Sequence, residues 1–263
     1  MATVNDILVF VETLAPRYMK MEWDNVGLLC GRGGKEVTKL MVALDPFYGV
    51  CSEAAAWGAD VLVTHHPLIF RPAASVTDSD PVGRSILCLI ENGIAAINAH
   101  TNLDQVAGGV NDCLAAKLGL SGIEVVEPEG EDANGNPWGL LRAGSVKQQT
   151  AAEFAAFVKQ QLGCSGVRFV DGGKPVQRVA VGGGACADEL RAVVHAGCDT
   201  LVTADAKYNQ FQDAVDCGVT LIDAGHFETE NPVTAYLAQK IAAEFPEIEV
   251  MISKTHRDPV QFI

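Results

Sequence analysis

The chain has 263 residues, 48% of them hydrophobic, and a formal net charge of −14 from 19 basic and 33 acidic side chains. That length suits about two domains of ordinary size, each able to bury a core. The acidic balance excludes a protein whose main task is to grip nucleic acid or an anionic membrane surface, because both need a basic footprint.

At the N-terminus, Val4, Ile7, Leu8, Val11 and Leu14 form one helical stripe, while Met1–Pro16 carries Asp6 and Glu12 and no basic start. This segment reads as neither a signal peptide nor a membrane span. Leu40-Met-Val-Ala-Leu44 is an apolar strand followed by a helical stretch. A second strand, in Trp57-Gly-Ala-Asp-Val-Leu-Val-Thr, runs straight into His65, His66 and Pro67. A third, in Glu91-Asn-Gly-Ile-Ala-Ala-Ile-Asn98, leads into His100 and Asp104.

Residues 127–137 are rich in acids and turn formers and poor in apolar residues, which marks a linker. The first domain is expected over 1–126, completed by the C-terminal segment 226–263, and the second over 138–225. Beyond the linker, Thr150–Leu162 has apolar positions at helical spacing, and Arg178-Val-Ala-Val-Gly182 reads as a strand. Gly182-Gly-Gly184 then opens a helix at Asp188–His195. It is either a phosphate-binding turn at a helix N-terminus or simply a tight strand-to-helix connection. The spacing matches neither a P-loop nor a dinucleotide fingerprint.

The segment that follows, Ala196-Gly-Cys-Asp-Thr-Leu-Val-Thr-Ala-Asp205, repeats residues 57–66 with Gly, Asp, Leu, Val and Thr at the same places. Asp216-Cys-Gly-Val-Thr-Leu-Ile-Asp-Ala-Gly225 likewise repeats residues 91–100 and leads into His226 and Glu230. Asn231 and Pro232 read as the N-cap and first position of a helix to Phe245, which puts Glu230 at the helix entrance. Each half is thus strand, helix, strand, helix, strand. The fold class is α/β, with two pseudo-repeated α/β domains of mainly parallel sheets. Ligands of such sheets bind beyond the carboxyl ends of the strands, so a metal site is expected in the cleft between the domains.

Five residues past these strand ends carry the functional reading: His65, His66, Asp104, His226 and Glu230. Side chains alternate along an extended segment, so His65 and His66 are expected to diverge and serve two different ions. Carboxylates can bridge, and the set suits two divalent metals, of which zinc, iron, manganese, cobalt and nickel all accept imidazole with carboxylate. Asp205, at the repeat position of His66, is a candidate proton carrier. His100 is a candidate proton donor or a residue that orients its loop. His195 and His256 lie outside the motifs and read as structural or solvated. Eight scattered cysteines without a C-x-x-C pair fit buried thiols in a reducing, cytoplasmic setting.

With these residues in view the chain resembles the Nif-three-like family of dinuclear metal centre hexameric proteins, often labelled GTP cyclohydrolase 1 type 2 homologues. The matching motifs are Trp23-Asp-Asn-Val-Gly-Leu-Leu29, Thr64-His-His-Pro-Leu-Ile-Phe70, Ala99-His-Thr-Asn-Leu-Asp104, Gly225-His-Phe-Glu-Thr-Glu230 and Asp258-Pro-Val-Gln-Phe262. The resemblance implies the same five metal ligands, a homohexamer built as a trimer of dimers, and the short form that lacks an inserted central domain. It also implies a metal-dependent hydrolase whose specific form is GTP ring opening with formate release. Phosphoester or amide cleavage would use the same ions, and a non-catalytic metal-binding scaffold is the alternative of another class. One departure stands out: Thr203-Ala-Asp replaces the family's Thr-Gly-Asp/Glu, and Asn209 stands where a histidine is expected.

Overall fold

The computed structural model describes residues 1–263 as two compact units, one formed by Met1–Val106 with Thr234–Arg257 and the other by Ala107–Val233 with Asp258–Ile263. Residues 127–137, expected as the linker, carry a two-stranded hairpin of Gly130–Glu131 and Pro137–Trp138, with Asp132 accepting from the Asn134 and Asn136 N–H groups. No helix is long and apolar enough to cross a membrane.

The first unit is built on a five-stranded sheet in the order Gly27–Cys30, Ala95–Asn98, Val61–Thr64, Lys39–Ala43, Glu249–Ile252. The last four are mutually parallel, and Gly27–Cys30 runs antiparallel along one edge. The second unit has a six-stranded sheet in the order Ser121–Val126, Leu141–Gln149, Val176–Val181, Thr200–Thr203, Thr220–Asp223, Arg168–Val170. Its three consecutive strands from Val176 to Asp223 are parallel, with antiparallel strands outside them. The architecture is therefore mixed α/β with parallel central strands.

The repeat in the sequence is a repeat in topology. Lys39–Ala43, Val61–Thr64 and Ala95–Asn98 are neighbours in that order, as are Val176–Val181, Thr200–Thr203 and Thr220–Asp223. Register agrees as well, since Thr64 faces Asn98 in one sheet and Thr203 faces Asp223 in the other. The repeated glycines cap the preceding helices in the left-handed conformation, Gly58 at φ 78° and Gly197 at φ 68°. The repeated aspartates anchor the neighbouring strand. Asp60 accepts from the backbone N–H of Thr38 and Lys39, and Asp199 from those of Gln177 and Arg178.

Leu40, Met41, Val42, Val61, Leu62 and Val63 are fully buried, as are Val179, Ala180, Val181, Leu201, Val202 and Ile222. Burial on both faces explains why these strands read as continuous apolar runs. Helices begin where expected: Thr3 with Asp6 and Thr150 with Glu153 form capping boxes ahead of Val4–Leu14 and Ala151–Leu162. All eight cysteines are free thiols, and burial pushes the pKa of Cys51 and Cys164 up to about 12.

The helix expected from Pro232 starts there, but Asn231 is not its N-cap. Asn231 has helical backbone angles (φ −55°, ψ −27°) and not the extended ones of an N-cap, because His226–Glu230 already forms a helical turn directly before Pro232–Glu244.

Asp60 yields a stability prediction. Its burial opposes ionisation, but hydrogen bonds from Lys35, Thr38 and Lys39 outweigh this and hold its pKa at about 2 against an ordinary 3.8. A carboxyl with a depressed folded-state pKa contributes stability above the ordinary value and loses it as pH falls through the folded one. Asp60→Ala is expected to lower unfolding free energy at neutral pH by about 1–3 kcal/mol. In urea titrations of both proteins that difference should shrink between pH 4 and pH 2; a gap independent of pH would refute the assigned cause.

Candidate metal-binding sites

In the first unit the strand Val61–Thr64 stops one residue short of the histidine pair, and His65 and His66 lie in a bend. The alternation expected to send them to separate ions therefore does not extend to them. Their ring centroids are 4.9 Å apart, and those of His65 and His66 lie 5.2 Å and 5.5 Å from that of His100. One ring nitrogen from each of the three lies within 4.8 Å of the others, close enough to face a common cation.

The tautomers follow from their partners. His65 is fully buried, and its Nδ1 sits 2.9 Å from the carbonyl oxygen of Ala99, which can only accept. His66 Nδ1 lies 2.6 Å from Asp45, and His100 Nδ1 lies 2.8 Å from Asp24. With Nδ1–H donating in each case, Nε2 is the atom that offers a lone pair to a cation. Metal-ligating histidines have this arrangement, in which an acceptor on the far nitrogen fixes ring and tautomer. Buried Asp104, on the helix Thr101–Gln105, brings its Oδ1 to 3.5 Å from His65 Nε2.

Asp24 and Asp45 are the residues that sequence reasoning missed. Burial works against the ionisation of both. For Asp24, hydrogen bonds from His100 and Thr101 outweigh it, and for Asp45 those from His256 and His66 do, so both carboxyls lie well below the ordinary range. Asp24 had a signal in the Trp23-Asp-Asn motif. Asp45 had a positional one, directly beyond the strand Lys39–Ala43. His256, expected outside the site, donates to the second oxygen of Asp45 from Nε2 at 3.1 Å and is largely buried. His195 does stand apart, exposed and 3.2 Å from Glu127.

In the second unit Gly225, at φ 87°, starts the turn that carries His226 and Glu230. Both belong to the helix His226–Glu230, so Glu230 is one turn beyond His226 on the same face and two residues ahead of the helix that starts at Pro232. His226 Nδ1 lies 2.8 Å from Asp205, and its Nε2 lies 3.1 Å from the buried carboxylate of Glu230. Asp205, the candidate proton carrier, thus stands where it orients the His226 ring, and it adopts a left-handed φ of 51° to do so. An imidazole with carboxylates at both nitrogens suits a cation between Nε2 and Glu230.

The turn Gly182-Gly-Gly184 does not present its amides to an anion. Gly183 N–H donates to Asn111, Gly184 N–H to Thr229, and Cys186 N–H to Thr203. Its glycines serve close packing, since a Cβ on Gly184 would overlap the Glu230 carboxylate and crowd His226 Nε2. Of the two departures from the family motif, Ala204 is fully buried with its N–H on the Gly184 carbonyl, and Asn209 is exposed on the helix Tyr208–Cys217. Gly184→Ala is expected to cost about 1–3 kcal/mol, from the overlap and from the left-handed φ of 63° at that position. It should also lower bound metal, read by plasma mass spectrometry on the refolded protein; full metal content would show that Glu230 tolerates displacement.

The Duf34/NIF3 (NGG1p interacting factor 3) family matches residues 2–259. A Clostridium perfringens protein named GTP cyclohydrolase 1 type 2 homolog is 34% identical over 263 residues, covering 99% of each chain. Among solved structures, a Bacillus cereus protein related to NIF3 superposes with a TM-score of 0.93 at 26% identity, over 100% of this chain and 99% of that one. A Staphylococcus aureus protein, SA1388, superposes with a TM-score of 0.92 at 30% identity, over 99% of each. With a match running from one end of the chain to the other, the protein belongs to the Duf34/NIF3 family.

Proposed function

We propose that the protein is a metal-dependent hydrolase of a nucleotide-like or phosphorylated small molecule, holding two divalent ions per chain through His65, His66, Asp104, His226 and Glu230. The observation that carries this reading is the fixing of each imidazole at Nδ1 by an oxygen acceptor, which leaves Nε2 as the coordinating atom. Neutral imidazole with carboxylate suits zinc, iron, manganese, cobalt or nickel. When bound, such an ion supplies Lewis acidity and acidifies water beside it.

The relatives' names point to GTP as substrate, with opening of the imidazole ring of guanine and release of formate. That reaction adds water at the ring carbon and requires a proton at the departing nitrogen. His100 is suited to the proton transfer, because Asp24 holds its Nδ1 and leaves Nε2 as the atom that takes up and gives back a proton. Asp205 positions His226. The reading includes the homohexamer, a trimer of dimers, implied by the family resemblance; light scattering should return six chains.

Two measurements test it. His66→Ala and Glu230→Ala are each expected to lower bound metal below two ions per chain while leaving the circular dichroism spectrum unchanged; undiminished metal in either variant would sink the ligand assignment. Protein loaded separately with zinc, manganese and iron is expected to release formate from GTP, with His66→Ala inactive. No formate from protein shown to hold two ions would remove the cyclohydrolase reading.

A further inference from the structure

A cavity of about 450 Å³ opens in the first unit beside His66. Asp45 and His66 line it on one side, and Phe47, Tyr48, Leu68 and Arg84 contribute the rest of the wall that matters here. Phe47 and Tyr48 are 62% and 44% exposed, a costly state for two adjacent aromatic residues unless a ligand covers them. Arg84 is the one Lys or Arg of the lining, and its guanidinium lies over the Tyr48 ring, 4.8 Å from the centroid. A guanidinium held by its face keeps the N–H donors in its plane directed outward, where they match the oxygens of a phosphate or carboxylate.

These features describe a ligand with two parts. Aromatic and aliphatic walls favour a planar or apolar body, and a lone stacked arginine favours an anionic group. Asp45, with its negative charge already shared between His66 and His256, repels an anion from the His66 side. The anionic end therefore belongs at Arg84 and the uncharged end toward His66.

We propose that this cavity is the substrate-recognition subsite, in which Phe47 and Tyr48 flank the ring of a nucleotide and Arg84 binds its phosphate. The proposal rests on the hydrolase reading for the identity of the ligand, but not on turnover. Arg84 and Phe47 are specificity residues in it, outside the proposed metal-ligand and proton-transfer sets, and both are exposed, so replacing them does not threaten the core.

The test is isothermal titration of the zinc-loaded protein with GTP and, separately, with guanosine, using wild type, Arg84→Gln and Phe47→Ala. Arg84→Gln is expected to weaken GTP about tenfold or more and leave guanosine unchanged, since it removes only a charge-assisted contact. Phe47→Ala should weaken both probes by a similar factor, and metal content should stay at the wild-type value in both variants. GTP bound equally tightly by all three proteins, or by none, would overturn the proposal. Formate assays on the same samples separate it from the hydrolase reading. Arg84-dependent binding without formate supports the subsite and removes the activity; formate release with KM unchanged in both variants supports the activity and removes the subsite.

Discussion

The functional reading depends on one constraint: an imidazole can offer a lone pair in a chosen direction only if its other nitrogen is held as a donor. In this chain four rings meet that condition in four ways, His65 through a backbone carbonyl and His66, His100 and His226 through Asp45, Asp24 and Asp205. Three of the acceptors are carboxylates, which fix the orientation and tautomer of the ring they hold. A histidine packed for structural reasons alone would be satisfied by any polar neighbour. The same choice of nitrogen at all four rings leaves Nε2 of each for the proposed chemistry, coordination at His65, His66 and His226 and proton transfer at His100.

The ring-holding carboxylates are themselves held. Asp24 takes donors from Thr101 N–H and hydroxyl as well as from His100, and Asp45 is shared between His66 and His256. The tail that delivers His256 is fastened by Glu53, which accepts from the Ser253 and Thr255 hydroxyls and the Lys254 N–H. The C-terminal segment is thereby tied to the position of His66. The repeat supplies the same rigidity at a larger scale, since Asp60 and Asp199 fix the register of the strands that end at Thr64 and Thr203, just before His65 and the Ala204-Asp205 pair.

The α/β class and the repeat were readable from residues, as was the placing of the five candidate ligands beyond strand ends, because each follows an apolar run of strand length and such runs survive any uncertainty about exact ends. Asp24 and Asp45 were harder. A carboxylate that holds the far nitrogen of an imidazole needs to be near it only in space, and here the partners lie 76 and 21 residues apart in the chain, with His256 211 residues from Asp45. The helical turn at His226 was masked by Pro232, which is an equally good first residue for a helix that starts there. The acidic stretch 127–137 has the composition of a linker, but Asp132 can cap its own turn and a hairpin forms locally. Glycine-rich residues 182–184 looked like an anion cradle because nothing in their sequence reveals that Asn111, Thr229 and Thr203 occupy their neighbourhood's amides.

Charge ties these observations together. With a net charge of −14 the chain repels anions at long range, and the carboxylates around its histidines add to that field. An anionic substrate can approach only where the sign is reversed locally, either by cations held among the imidazoles or by an arginine. Arg84, stacked on Tyr48 at the cavity beside His66, is such an arginine. The acids near the histidines hold an anionic group off that side and leave it to Arg84, while cations held there would offset the repulsion felt by the ligand as a whole. Metal loading should precede substrate binding, so that the affinity for a nucleotide reports on occupancy of the metal sites even where no reaction follows.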